Sequence, residues 1–576
     1  MGKFIKRMCM AAGTIGMLFS LFGCGKKEMT AIELAEKMGN GINLSNTFEA
    51  YGRSELGTDK DPVAYETFWG QPQTTKEIIS AMKQSGFDTI RIPVAWTNTM
   101  QFESQDYTIS EAYLKRVKEV IDYAIEEDMY VIVNDHWDGS WWGMFGSANE
   151  ETRQQARELY TAMWSQIAKY YKDYDEHLIF ESANEELGDR LNDIDVAADS
   201  GSLSEEECYQ TTNEINQMFV DLIRKSGGKN KNRFLLIAGY NTDVQKTVDE
   251  RFVMPTDSAK EKLLLSVHYY TPWGYCGNSS LSKWGTKRHV GEMNSLLESL
   301  SKFPESGVPV VIGEYAVSPR ADGSVKENTY DYLHNFLNNC DYYGYVPVLW
   351  DTGAFFSRRE TLGFWDETMR SVYSEYAYAT QKDTPLELLK ENAKSQMDAF
   401  YEQAPDSLEE DTVQLDASKA MAWIMFNSGD WYQMYSVGDV YDPEAKTEGL
   451  VTTDVEVTGE GTYTVGLDFT KTGPAKGTAF SALAIANGET LFPGYIIDIK
   501  EVLVNGEPYK LCGVPYTSSD DGICTRVNLY NEWISEVPDD IRTMHGQDGV
   551  TPMLLSNDTL GEINTLQITF EYVKGE

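Results

Sequence analysis

Two glutamates stand where hydrophobic strands run out. The first lies in Leu178-Ile179-Phe180-Glu181-Ser182-Ala183-Asn184-Glu185, the second in Val308-Pro309-Val310-Val311-Ile312-Gly313-Glu314-Tyr315. An acidic residue where a strand meets water is common by itself. Two of them, one preceded by Asn and the other by Gly in a chain that alternates strands with helices, suggest a carboxylate couple at the mouth of a barrel. The chemistry open to such a couple is displacement at a glycosidic carbon. One carboxyl protonates the departing oxygen, and the other, ionised, attacks, so that a sugar–sugar bond is hydrolysed with retention.

The elements that must position this couple are legible as short, β-rich apolar runs. They begin at Gly41-Ile42-Asn43-Leu44, Thr89-Ile90-Arg91-Ile92, Tyr130-Val131-Ile132-Val133-Asn134 and Leu178 to Glu181. Phe234 to Ala238, Leu263 to His268, Val308 to Glu314 and Val346 to Trp350 follow. Each is too apolar for a strand with one wet face. Helical patterns lie between them: Leu114, Val117, Ile121 and Ala124 recur at three- and four-residue spacing. The expectation is a (β/α)₈ TIM barrel over residues 25–380. A doubly wound open sheet is disfavoured because no glycine-rich phosphate loop follows any strand. Residues 381–412 read as a helix and then an acidic linker through Ala404-Pro405-Asp406 and Glu409-Glu410-Asp411. Residues 413–576 read as a smaller all-β sandwich, with runs such as Ala422 to Phe426, Tyr463 to Phe469, Tyr495 to Ile499 and Leu566 to Tyr572.

Bulk numbers narrow the partners. The chain has 576 residues, enough for two folded units behind a processed N-terminus, and a formal net charge of −41. Such a surface repels nucleic acid and anionic membranes and favours neutral or cationic ligands. The 13 Trp and 34 Tyr suit large cores, and they also suit stacking against the apolar C–H face of a sugar. Residues 1–24 form a basic start, Met1 to Arg7, then an apolar stretch to Phe22 and Leu21-Phe22-Gly23-Cys24. This end resembles a bacterial lipobox, which implies acylation of Cys24 and a lipid-anchored, extracellular protein at the cell surface. An ordinary signal peptide or an uncleaved anchor is the other reading. Seven Cys are present, of which Cys208, Cys276, Cys340, Cys512 and Cys524 lie beyond Cys24; Cys512 and Cys524 are close enough to close a loop. With six His in the chain and no zinc-type spacing, no metal and no cofactor are expected.

Residues from about Thr30 to Ala379 resemble glycoside hydrolase family five, the cellulase family, in its bacterial endoglucanase and xyloglucanase branch. Gly41 to Glu49, with Asn46 inside it, is similar to that branch's opening, as is Glu66-Thr67-Phe68-Trp69-Gly70. The family's positions then fall in order at strand ends. The resemblance implies Glu185 as acid/base and Glu314 as nucleophile. It also implies that Arg91 keeps Glu314 ionised, Asn184 holds the sugar 2-hydroxyl, and Tyr270 orients Glu314. His268 and His136 would serve the acid/base network and the sugar, and Trp350 would be a stacking floor. Arg91 as a structural ion pair is the alternative reading. Two departures stand out: Glu186 follows Glu185 where a Pro or small residue is usual, and Trp137 follows His136 where a second histidine is common. Ser45 replaces a common Gly.

Other aromatics follow or flank strand ends: Trp141, Trp142, Trp273, Trp284 and Trp365, besides Trp137, and half of these six are expected to meet glycan. The C-terminal unit, with Trp423, Trp431, Tyr432, Tyr435 and Trp533, looks like a carbohydrate-binding sandwich; a module that packs for structure alone is the alternative. Ser518 to Gly522 reads as a solvated turn rather than a calcium site. The reading is a monomeric endo-β-1,4-glucanase acting on β-glucan polysaccharide or oligosaccharide. Preference for xyloglucan, mixed-linkage glucan or mannan stays open, as does a glycan-capturing lipoprotein without catalysis.

Overall fold

The structure, a computed structural model, describes residues 28–139, 141–193, 201–277, 281–320, 324–408, 417–437, 441–443, 445–447, 449–519, 522–534, 537–538 and 541–575. The leader with Cys24, the linker residues Glu409 to Asp411, and Asp520 and Asp521 lie outside these residues. The chain divides into two compact units. The first holds residues up to Tyr269 with Leu296–Glu314 and Asn339–Ala393. The second holds Tyr270–Ser295, Tyr315–Asn338 and Lys394–Glu576.

Eight strands close a parallel barrel in sequential order. They are β1 (Gly41–Asn43), β2 (Thr89–Ile92), β3 (Tyr130–Val133), β4 (Leu178–Glu181), β5 (Leu235–Ala238), β6 (Leu263–Tyr269), β7 (Val310–Tyr315) and β8 (Val346–Leu349). All are buried save Leu263 at one end, as a parallel sheet jacketed by helices requires. Ahead of β1 a helix, Ala31–Met38, starts in a capping box. The Thr30 hydroxyl accepts from the Glu33 amide, and the Glu33 carboxylate accepts from Thr30. Its apolar face, Ala31, Leu34, Ala35 and Met38, joins Ile132, Ile179, Leu236, Leu264, Val311, Val346 and Val348 in one cluster. Each fully buried Leu, Ile, Val or Met among them contributes about 1.5–3 kcal/mol. The cluster fills the N-terminal half of the barrel and leaves its C-terminal half for polar groups.

Register and the two-residue period decide which side chains those are. Asn43 stands opposite Arg91, Arg91 opposite Ile132, and Ile132 opposite Ile179. Two residues on from Ile179 is Glu181, and two and four on from Leu264 are Ser266 and His268. Each apolar layer is thus followed by a polar one on the same inward face.

From Ala420 onward the described elements are strands, save the one-turn helices Gly488–Leu491 and Asn557–Leu560. One five-stranded sheet includes Ala420–Ser428, Thr478–Ala486 and Thr525–Tyr530 as neighbours. A second includes Gly461–Asp468, Thr565–Lys574 and Tyr495–Val504. Their inner faces share a single apolar cluster, Trp423, Phe426, Leu483, Val527, Ile568 and Phe570 among its members. Thr478–Ala486 is absent from the sequence-based strands. Its Ala- and Ser-rich run has low β-propensity, and its place between two paired strands is what makes small residues fit. Cys512 and Cys524 are both free, so they do not form a bridge in this structure. Among the described residues no helix is long and apolar enough to cross a membrane.

Candidate active site

Arg91 is the hub. It lies wholly buried near the end of β2, and its guanidinium reaches four groups at once. Nε donates to Glu181 Oε2 at 2.7 Å, Nη1 to Asn43 Oδ1 at 2.9 Å and to Glu314 Oε1 at 3.0 Å, and Nη2 to Asn184 Oδ1 at 2.8 Å. The other Glu181 oxygen accepts from Ser266 Oγ at 2.7 Å. Burial works against the Arg91 charge, but Glu181 and Glu314 outweigh it and raise its pKa. The buried ion pair with Glu181 and the contact with Glu314 are therefore both present, on two sides of one planar fork. Glu181 holds Arg91 inside the barrel, and Arg91 presents a fixed positive charge to Glu314, which favours its ionised form.

Glu185 faces the same space from the turn after β4. One of its oxygens, one of Glu314's and a ring nitrogen of His268 lie within 4.8 Å of one another. His268 Nδ1 is 2.8 Å from Glu185 Oε1 and 3.6 Å from Glu314 Oε2. Arg190 Nη1 donates to the other Glu185 oxygen at 3.2 Å. Burial alone would raise the Glu185 carboxyl; the His268 hydrogen bond and the charges of His268, Arg190 and Arg91 bring it below its ordinary value. For His268 burial acts downward, and the charge of Glu314 and the hydrogen bond to Glu185 reverse this and raise it. In the free protein the pair thus shares one proton that rests on the histidine side. Gly313 makes this geometry possible. A Cβ there would lie 3.0 Å from Ser266 Oγ and 3.2 Å from His268 Nε2.

The remaining sequence-derived residues divide. His136 is buried beside the couple, its Nε2 4.0 Å from Glu314 Oε1. Burial first, then the Arg91 charge, push its pKa well below the ordinary value, so it is neutral. Trp350 stacks on its ring at 5.5 Å and 9°. Trp137 is exposed on a left-handed backbone (φ 49°), with the Arg190 guanidinium over its ring at 5.4 Å. Asn46 also adopts a left-handed backbone (φ 56°), its amide donating to the buried Glu49. Tyr270 follows β6 directly, its ring edge-on to Trp273 at 6.0 Å. Three of the six flanking tryptophans are core. Trp141 and Trp142 stack on each other at 4.6 Å, Trp142 donating to Asp135, and Trp284 is buried against Phe400 and Tyr332. Their indoles lie among other rings, where apolar area is worth more than exposure. Trp137, Trp273 and Trp365 are the exposed half.

Glu186, the odd residue of the motif, turns back to tie two loops. It accepts from the Asn184 amide at 2.8 Å and from the Trp137 amide at 3.0 Å. Burial pushes its carboxyl up to about 7. Asn43, Glu49, Glu181, Arg190 and Ser266 also serve the site, and the sequence reading assigned them no part in it. The available signal was the buried Ile-Arg-Ile strand: a guanidinium there needs several acceptors, and the polar residues ending neighbouring strands are the ones in reach.

Comparison with known proteins bears on the barrel that carries these residues. The chain is 35% identical over 349 residues to a xyloglucan-specific endo-beta-1,4-glucanase of Bacteroides ovatus, covering 57% of this chain and 66% of that one. It is 34% identical to an endoglucanase A of Paenibacillus barcinonensis, covering 57% and 84%. Among solved structures it is similar to a GH5-4 broad specificity endoglucanase from Ruminococcus champanellensis with bound cellotriose (TM-score 0.53, 30% identity, 60% of this chain and 99% of that one). It is similar also to the Bacteroides ovatus GH5 xyloglucanase in complex with a XXXG heptasaccharide (TM-score 0.53, 30% identity, 61% and 78%). Residues 56–355 match the model of the cellulase family, glycosyl hydrolase family 5, and that span runs from β2 to β8 through both glutamates. With its barrel and more than half of its length matched in this way, the chain belongs to glycosyl hydrolase family 5.

Proposed function

We propose that this protein is a retaining endo-β-1,4-glucanase that cuts internal bonds of cellulose-type β-glucans through a covalent intermediate on Glu314. The observation that carries the reading is the placement of Glu185 and Glu314 oxygens within 4.8 Å of each other. Inverting enzymes hold their carboxyls roughly 6.5–9.5 Å apart to admit a water, and retaining ones about 5–5.5 Å. Glu314 attacks the anomeric carbon, its charge oriented by Arg91. Glu185 delivers the proton it shares with His268 to the leaving oxygen, then takes one from the water that releases the sugar. Arg91 engages the Asn184 oxygen, so the Asn184 NH₂ is the group that meets the sugar 2-hydroxyl. Trp350, packed on His136, offers a ring for a sugar face.

The names of the relatives support β-1,4-glucan backbones, with xyloglucan as the branched form. Glu314→Gln is expected to lower kcat by on the order of 10³-fold or more while the fold is kept. Reducing-sugar release from cellulose, xyloglucan, mixed-linkage glucan and mannan reads both activity and preference; undiminished turnover in that variant refutes the assignment. The reading extends to a lipid anchor on Cys24. Cys24→Ala should move the expressed protein from the membrane fraction to the medium, and an unchanged distribution rejects the anchor.

A further inference from the structure

The C-terminal sandwich carries two kinds of aromatic residue. Trp423 and Tyr435 are wholly buried in its core. Trp431 (60% exposed), Tyr432 (82%) and Trp533 (60%) stand in solvent. The exposed ones converge at one end of a single sheet. Strand Ala420–Ser428 ends there with Ser428 opposite Thr478, the first residue of Thr478–Ala486, and Thr525–Tyr530 ends there with Tyr530 opposite Ser481. Trp533 stacks on Phe480 of the middle strand (6.1 Å, 28°), and Trp431 lies 6.2 Å from Trp533. Phe480 is the buried footing of this group and the two indoles are its outer layer.

The turn beneath Trp431 is tightly built. Its amide donates to Ser428 O at 2.9 Å, Ser428 Oγ donates to Asp430 Oδ1 at 2.7 Å, and the Gln433 amide donates to Ser428 Oγ at 2.9 Å. Gly429 is pressed against Lys476 O, which a Cβ would approach to 2.5 Å. These contacts hold Trp431 on a left-handed backbone, φ 59°. A bulky side chain is strained there, and such strain persists only where the surroundings over-determine it. Packing does not account for it, because the indole it presents faces water.

We infer that Trp431, Tyr432 and Trp533 form a second glycan-binding site, a platform for a neutral β-linked glucan chain apart from the catalytic couple. Indole and phenol faces fit the C–H faces of pyranose rings. Asn531 fixes the Trp533 amide at 3.2 Å, and the exposed Asp430 carboxylate borders the platform with oxygens that take sugar hydroxyls. Asp430 and the net charge of −41 repel anionic polymers and lipid surfaces. Three side chains are also far fewer than the roughly 20–30 residues a side that a stable protein interface engages. The choice of β-glucan rests on the proposed function. The platform would keep the enzyme on a polymer between cuts and so raise the local concentration of bonds.

The test uses the full chain carrying Glu314→Gln, so that binding is read without turnover. Trp431→Ala with Trp533→Ala should weaken retention on insoluble β-glucan roughly tenfold, as loss of aromatic anchors does. In the otherwise wild-type enzyme the same pair should leave hydrolysis of short soluble oligosaccharides unchanged. Trp431→Gly removes the backbone strain together with the ring, so it should lose binding without loss of thermal stability, which separates binding from folding. Equal retention by the altered and parent proteins overturns the inference, as does loss of vesicle binding or of self-association in place of glucan binding. A wild-type enzyme that releases no sugar from any glucan overturns the proposed function instead; the retention measurement still decides the platform.

Discussion

Proton placement depends on three side chains in contact. Glu185 sits between His268 and Arg190, and both draw its carboxyl below the usual range against the opposing effect of burial. Under the proposed mechanism catalysis needs the proton the Glu185–His268 pair shares, and its loss defines the alkaline limb of kcat/KM. Arg190→Gln removes a positive charge and so raises the proton affinity of the pair. The alkaline limb should move to higher pH, with kcat at the optimum little changed; a limb that stays or moves down contradicts the arrangement. The fork at Arg91 explains why neighbouring carboxylates play unlike parts. Glu181, wholly buried and bonded to Arg91 and Ser266, has no access to substrate. Glu314 receives the guanidinium on one side and keeps the other toward Glu185.

At the scale of elements, the barrel acts as a ruler. The inward positions of β4 and β6 end their apolar layers at Glu181 and Ser266, and His268 lies one layer further along. β7 approaches β6 closely because Gly313 has no side chain. Gly313→Ala would press on Ser266 and His268 across contacts of 3.0 and 3.2 Å. The expected result is a drop in kcat of about 10- to 100-fold, since small misplacements of reacting groups are costly, with the barrel still folded. Full activity in this variant would show that His268 can move freely, against the packing described. The loops after β3 and β4 are joined by Glu186, so the exposed Trp137 and the Asn184-Glu185 pair share one fixed frame.

For the whole molecule, acid titration follows from buried carboxyls rather than from the large surface charge. Burial pushes Glu49, Glu186 and Asp341 each up to about 7. Backbone amides, of Thr47 at Glu49 and of Trp137 at Glu186, offset this in part, followed by the charges of Arg358 and Arg190; Glu375 near Asp341 adds to it. A carboxyl whose folded pKa is raised stabilises the fold fully below its unfolded pKa, 4.5 for the two glutamates and 3.8 for Asp341, and loses that contribution as pH rises through about 7. Thermal midpoints should therefore fall between about pH 4.5 and 7, and the fall should shrink in Glu49→Gln combined with Asp341→Asn. A midpoint that rises across this window contradicts the assignment.

Much of this was decided by local chemistry. The eight barrel strands follow from short apolar runs, and their bounds shift by no more than two residues at either end because pairing with the neighbour, not composition, ends a strand. The glutamate couple was readable from types and order along those runs, and Arg91, Asn184 and His268 from the resemblance to family five. Tertiary structure decided the rest. Whether Trp141 or Trp137 meets water depends on what packs over each, and adjacent sequence carries no trace of that. The hub that joins Asn43, Arg91, Glu181 and Glu314 spans 271 positions of chain and exists only because barrel closure sets β1 beside β2 and β8 and turns β4 and β7 toward the same axis. Glu186 read as an anomaly in one dimension; in three, its carboxylate finds two amides that no spacing rule connects.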